Sequence, residues 1–462
     1  MQKFLANYSA AAHLALLAVA PLFLYPFYGT DAIATVLLWL SLITALWVVM
    51  SPSCKAGEMP HRARSRLVSE ALRDPMAWFS MAVVVYAGVR ALNGGIALAY
   101  DAEAEAWSML PPRAAMLPGC VDGCGFFPFA ASIALFVLLV GVRHGLGAAA
   151  SVAFFTSSAA LAGIAATVSA IALSYGNVHA LDMAACSYEA PSFVGTAYGL
   201  YLVCGVAALF GCVEYGWRRA EPFAVLGIVG SAVGLELFSP PATFVVFAVA
   251  FAALVVASFA LSRGRIAGSA SFRCAIVALS VVALVVVVAM FGDGCGELAG
   301  KRDAVLQLRL FPEGFASARD AMSSIALKSW RQNPWLGSGV GSFPFDLRFL
   351  AVQADWSLIS PRQTAVVSAW WHVLVERGIV GAMVLAVGTA FLAWSYFAGL
   401  ARAIGGGRPS PSCLVGPLVA ASLTAISFID CSLLRPDVIL PAAAALSLSA
   451  VAFQRGACGQ GT

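Results

Sequence analysis

Apolar residues in this chain come in long runs, such as Ala275–Phe291 and Val373–Phe397 (whose only charges are Glu376-Arg377 near its start), separated by short polar breaks. A strand of a membrane barrel alternates polar and apolar over about 10 residues, so these runs predict helices instead. Twelve segments are long enough, at about 20 residues each, to cross a ~30 Å hydrocarbon core. They lie near 9–28, 31–50, 76–99, 126–142, 147–174, 193–213, 222–238, 242–261, 274–291, 373–398, 412–429 and 438–454. Pro21 and Pro26 interrupt the first, and the seventh stops at Pro240-Pro241. The expected fold is an all-α integral membrane protein, a single polytopic domain over 1–462. One long polar segment, 292–372, falls between spans nine and ten and cannot sit in a bilayer.

Composition agrees with the pattern. The chain is 61% hydrophobic and 11% charged, with mean hydropathy +0.88, where a soluble protein carries about 25% charge. Charge then sets the expected orientation. With the N-terminus inside, the inner segments hold Lys3, Lys55, Arg62, Arg64, Arg66, Arg73, Arg143, Arg218, Arg219, Arg263, Arg265, Arg273, Arg402, Arg408 and Arg455. The short outer loops hold only Arg113 and Arg435, a strong positive-inside bias. Both termini are then cytoplasmic and 292–372 faces outward. Ala18-Val19-Ala20 resembles a signal-peptidase site, but the apolar run continues to Tyr28 and reads as an uncleaved anchor.

The basic 51–75 segment suits anchoring against anionic membrane lipid. It lacks interleaved aromatics, which argues against a nucleic-acid partner. The loop 100–125 is acidic and rich in Pro and Gly. Cys120 and Cys124 fit either a small disulfide loop or two free thiols, and no cysteine set has metal-site spacing. His61 and His144 fall on the inner side and are expected to be solvated. No repeat relates the two halves of the chain.

Within the long outer segment, 316–332 reads as a helix with Ala318, Met322, Ile325 and Ser329 on one face and Ala326 and Trp330 alongside. Asn333-Pro334 stops it. The Gly-rich stretch with Gly337, Gly339 and Gly341 lacks the Lys-Ser/Thr of a nucleotide loop. It fits a tight turn better than a phosphate nest. Ser342–Ala354 is mixed in character and suits the membrane surface. Arg319, Arg331 and Arg348 are exposed cations by default, yet Arg is also the residue that grips phosphate with a permanently charged fork. His372 opens the tenth span beside Trp370 and Trp371, as a member of an interfacial aromatic belt or as a general base. Glu376, one turn on, can orient His372 or pair with Arg377 or Arg90. Arg90 and Glu236 lie inside spans, where charges are paired or functional.

These pieces resemble the signature of the O-antigen ligase and polymerase family. Arg319-Asp320-Ala321-Met322 precedes Asn333-Pro334-Trp335-Leu336-Gly337-Ser338-Gly339-Val340-Gly341-Ser342-Phe343, and His372 precedes Glu376-Arg377-Gly378-Ile379-Val380-Gly381. The resemblance covers about 65 residues. Val373 follows His372 where the family usually has Asn or Ser, and Ser239-Pro240-Pro241 stands where many members carry an Arg.

The resemblance implies a metal-independent, cofactor-free glycosyltransferase of the bacterial inner membrane, acting on its periplasmic side in lipopolysaccharide or polysaccharide biosynthesis. The donor would be a glycan on undecaprenyl pyrophosphate, and the acceptor the lipid A core or a growing polysaccharide. It carries the family's essential Arg and His onto Arg319 and His372; Arg331, Arg348 and Arg90 are expected beside them as substrate-binding residues. The contrasting expectation is a secondary transporter or lipid-linked glycan flippase. It requires a charged cavity at mid-membrane, to which only Arg90 and Glu236 point.

Overall fold

The computed structural model describes residues 2–24, 59–101, 106–114, 116–121, 124–145, 148–174, 190–214, 217, 219–238, 241–261, 315–350, 368–405 and 414–429, with scattered positions in 36–50 and 438–447. The ninth expected span and most of the second and twelfth lie outside these residues. So do 292–314 and 351–367 of the long polar segment.

The described chain is helical apart from one hairpin. Its helices are α1 (Gln2–Leu24), α2 (Pro60–Arg73), α3 (Pro75–Leu92), α4 (Phe126–Gly145), α5 (Ala148–Ser174), α6 (Ala190–Glu214), α7 (Glu221–Phe238), α8 (Pro241–Leu261), α9 (Phe315–Gln332), α10 (Phe343–Leu350), α11 (Ala369–Gly405) and α12 (Val415–Ile429). Four helices are long and apolar enough to cross a membrane, namely Phe126–Gly145, Val152–Ser169, Val194–Cys212 and Ala369–Ala401; the bent pair α2–α3 makes a fifth if counted as one span. Only 22% of the apolar window of α4 and 18% of that of α11 are buried. On α11, Trp394, Phe397 and Val387 stand in the open. Apolar faces of that extent are unfavourable in water, and a bilayer removes the problem. The chain has the build of a multi-pass helical membrane protein.

The main core gathers α1, α5, α6, α7 and α8. At its centre every residue of Val194–Cys212 is buried, as expected of a helix apolar on all sides. Small residues let neighbours approach: a Cβ on Gly230 would stand 2.3 Å from the Cα of Gly163. Where lipid supplies no hydrophobic drive between helices, such close packing carries the association.

The second layer, α3, α4, α11 and α12 with α9 and α10, positions the site, and here the structure departs from expectation. The third expected span, 76–99, ends as helix at Leu92. The chain then runs into a hairpin, β1 (Ala97–Asp101) paired antiparallel with β2 (Ala106–Leu110). Buried Asn93 stops the helix and locks the loop beyond. Its Nδ2 donates to the carbonyls of Ala114, Leu117 and Pro118 at 3.0–3.1 Å, while Oδ1 accepts from Ala114 N at 2.8 Å.

The 51–75 segment also contains a helix, α2. A 77° bend joins it to α3, for a local reason. Pro75 forces Asp74 out of the helical region (φ −87°, ψ 113°) and opens α3 at its first position, and Asp74 caps α3 by accepting from Met76 N at 3.0 Å. Asp74 also corrects the expectation for His144. That ring is buried, with Nε2 3.0 Å from Asp74 Oδ2 and Nδ1 3.7 Å from Glu70. Arg143 Nε lies 2.9 Å from the same Asp74 oxygen, an ion pair whose angle makes no hydrogen bond. His61 is exposed. Cys120 and Cys124 are not joined in a disulfide; the first is buried and the second exposed.

Candidate active site

Helix α9 spans Phe315–Gln332, as the periodicity predicts, and presses Met322, Ile325 and Ala326 against Phe343 of α10 and Val375 of α11. Trp330 and Trp371 close the edges of this cluster. The cluster ties the polar segment to the helix that carries His372. Ser342–Ala354, expected on the membrane surface, instead begins with α10, where Phe343 and Asp346 are buried.

Helix α11 is broken at Gly378, whose backbone (φ 64°, ψ −167°) leaves the helical region. The break orphans main-chain groups on both sides, and the Gly-rich turn satisfies them. Ser338 N donates to Val375 O at 2.8 Å and Gly339 N to Glu376 O at 3.0 Å. In return, Ile379 N donates to Pro334 O at 2.9 Å and Val380 N to Trp335 O at 3.1 Å. Unpaired backbone polar groups at membrane depth are strongly disfavoured, so turn and break require one another. The fit leaves no room for a side chain. A Cβ on Gly378 would stand 2.3 Å from Trp335 O, and one on Gly337 2.4 Å from the Glu376 carbonyl carbon. Gly337, Gly339 and Gly341 all have positive φ. The turn is a cradle for a broken helix; its Ser338 and Gly339 amides are already taken.

Arg90 is buried, at 2% exposure. Its Nη2 donates to Glu376 O at 2.5 Å and to Gly119 O at 3.3 Å, Nε donates to Gly119 O at 3.3 Å, and Nη1 donates to Tyr86 Oη at 3.0 Å. This corrects the expectation of a phosphate contact: the guanidinium, carried on α3, ties that helix to two further layers of main chain at Gly119 and Glu376. The middle layer, Gly119–Val121, also pairs with the turn through Val340 N to Gly119 O (3.2 Å) and Val121 N to Val340 O (3.0 Å).

Within this frame His372 and Glu376 meet one turn apart on α11. His372 Nε2 lies 3.2 Å from Glu376 Oε2, and the other carboxylate oxygen accepts from Gly341 N at 2.9 Å. The Phe343 ring stands edge-on to the imidazole, with centroids 6.2 Å apart. Ser368 caps the helix through Trp371 N (3.2 Å). Trp370 donates to Ser427 at 2.8 Å and stacks on Phe428, anchoring this end of α11 to α12. A carboxylate at Nε2 calls for a proton there, so neutral His372 carries its lone pair on Nδ1. Nδ1 is buried and has no partner among the described residues. In that tautomer Nδ1 is the nitrogen with a lone pair free to accept a proton.

Sequence reasoning missed Asp346. It is 3% exposed and its Oδ2 accepts from Ser329 Oγ at 2.5 Å, with Ser338 Oγ 3.3 Å beyond. Burial pushes its carboxyl up to about 6. The only sequence signal was Ser329 on the inward face of α9.

Of the expected cations, Arg331 is exposed at the end of α9. Arg319 lies on α9 and Arg348 on α10, and their side chains lie outside the described residues, as does that of Glu236 on α7. A cavity of about 540 Å³ adjoins the turn, lined by Leu110, Pro112, Asn333, Trp335 and Ser338 among others. Among the described residues no three His, Cys, Asp or Glu side chains converge as a metal site requires. No protein-family model matches the chain, and no curated protein matches it.

Proposed function

We propose that this protein is a polyprenyl-pyrophosphate-dependent glycosyltransferase of the O-antigen ligase or polymerase type. In this reading it has twelve spans, both termini in the cytoplasm and the 292–372 segment in the periplasm. The supporting observation is that the turn following the Arg319 helix is bonded to the very break in α11 that follows His372 and Glu376. Two motifs about 30 residues apart in sequence thereby form one unit.

In the proposed reaction, His372 Nδ1 takes the proton of the acceptor hydroxyl while that oxygen attacks the anomeric carbon of the donor glycan. The bond from that carbon to the pyrophosphate oxygen breaks, and undecaprenyl pyrophosphate leaves with the electron pair. Glu376 holds the imidazole and steadies the imidazolium that forms. Arg319, with Arg331 and Arg348, meets the growing charge on the leaving group, where a contact lowers the barrier most. The adjoining cavity, with exposed Trp335 and the Asn333 amide, offers the aromatic and amide groups that sugars bind.

The test is complementation of a deletion strain with Arg319→Ala and His372→Ala at normal protein levels. Both are expected to abolish transfer, and full transfer by either mutant removes that residue from the mechanism. Lipopolysaccharide from the deletion strain separates the branches. Loss of every long chain on the core denotes a ligase, and single-repeat capping denotes a polymerase.

A further inference from the structure

The bonding around the α11 break leaves one cation, Arg377, without a partner. The sequence offers it Glu376, but both oxygens of that carboxylate are engaged, one by His372 and one by Gly341 N. The other acceptors at the break are taken as well. Glu376 O receives Arg90 and Gly339 N, Val375 O receives Ser338 N, Pro334 O receives Ile379 N, and Trp335 O receives Val380 N. Asp346 holds Ser329. Among the described residues Arg377 has no hydrogen bond or ion pair. Its Nε is buried, while the residue as a whole is only half-buried and the tips of the guanidinium are not enclosed.

The stem of Arg377 lies across Gly381: a Cβ there would stand 2.3 Å from Arg377 Cβ and 3.4 Å from its Cγ and Cδ. Gly388, seven residues on, falls within about 20° of Gly381 around the helix. A Cβ on Gly388 would stand 2.2 Å from the Phe79 ring of α3. Arg377 therefore lies along the seam between α11 and α3, near enough to Arg90 of α3 for their charges to interact. The seam is pinned at one end by Arg90 on Glu376 O and at the other by Phe79 against Gly388. Phe79, Val83, Tyr86 and Arg90 share one face of α3 at helical spacing. Between the pins, Val83 and Tyr86 of α3 and Val384 and Leu385 of α11 are only half-buried, so the seam is open along its length.

We propose that Arg377 binds the phosphate of a lipid lying in this seam, and that this lipid is the polyprenyl-pyrophosphate donor. A guanidinium inside a span is costly unless it is paired or functional, and the protein supplies no acceptor for this one. In a bilayer the acceptors that match a planar, permanently charged fork are the oxygens of lipid phosphates. The apolar flanks of the seam suit a hydrocarbon tail. Arg377 follows His372 by five residues, about 7.5 Å along the helix, which keeps a phosphate held here close to the base. The donor role rests on the glycan-transfer reading; the lipid-phosphate site rests on the membrane reading alone.

The experiment is native mass spectrometry of the full-length protein from detergent, after incubation with undecaprenyl pyrophosphate, undecaprenol or phosphatidylglycerol. Wild type is expected to retain undecaprenyl pyrophosphate in clear preference to the other two. Arg377→Gln is expected to bind it more weakly by about tenfold or more, as for the loss of a hydrogen bond to a charged group. Arg377→Lys, which keeps the charge and loses the fork, is expected to fall between. The side chain makes no bond within the protein, so Arg377→Gln is expected to melt with wild type, which separates lost binding from lost fold. Unchanged retention of undecaprenyl pyrophosphate by Arg377→Gln overturns the proposal and leaves the glycan-transfer reading standing. Arg377-dependent retention of phosphatidylglycerol in preference to undecaprenyl pyrophosphate overturns the donor role and supports the phosphate site. Equal retention of undecaprenyl pyrophosphate and undecaprenol by wild type overturns both the proposal and the transfer reading.

Discussion

His372, Arg90 and Asp346 each make a separate prediction. If His372 is the base, His372→Ala lowers transfer by about 10²–10⁴ with no change in melting temperature. Arg90→Met acts on stability instead. It removes one of two donors from each of the Gly119 and Glu376 carbonyls, which keep the amides of Val340 and Gly339, at about 1.5–3 kcal/mol for each hydrogen bond to a charged group that is lost. A drop in melting temperature in detergent measures it. Asp346 gives a pH dependence. Its folded carboxyl lies at about 6, above the 3.8 of the free group, so the folded state holds the extra proton. Stability is therefore fullest below about pH 4 and falls as pH rises through about 6, by up to about 3 kcal/mol. Asp346→Asn is expected to remove that slope and to melt higher than wild type at pH 7.5. Glu376 was readable as a partner for His372 from the i, i+4 spacing. Asp346 was not, because its burial depends on α9, α10 and the turn meeting in space.

Among the elements, α9 was the most legible, since its apolar residues recur at helical spacing and Asn333-Pro334 ends it. The break in α11 was hidden, because Gly378 sits in a run apolar enough to pass for a straight span. What distinguishes it is the carbonyl of Trp335, over 40 residues earlier, filling the place of a Cβ. Gly378→Ala is accordingly expected to cost more than the ~1–3 kcal/mol of local backbone strain, since the turn must also withdraw. The measurement is urea or thermal unfolding followed by Trp fluorescence. Helix α2 was read only as a basic loop, although Pro60 suits a first helical position and Arg62, Arg66 and Arg73 recur on one face. The hairpin after Leu92 was taken for the end of a span because Ala97–Tyr100 is apolar.

For the whole molecule, the proposed arrangement places α2 in the cytoplasm and α9 in the periplasm. Alkaline phosphatase fused after Gln332 is expected to be active and a fusion after Arg66 inactive, and the reverse pattern refutes the orientation. Membrane character was fixed by composition and run length alone, because a chain with so few charges has no other solvent. Helices followed from it, because lipid offers no partner to a backbone amide. The pairing of the Gly-rich turn with the α11 break, the commitment of Arg90 to main chain and the burial of Asp346 and His144 were decided only by the tertiary structure. Each depends on a donor and an acceptor far apart in the chain, and sequence spacing carries no record of which distant carbonyl will be left in need of a partner.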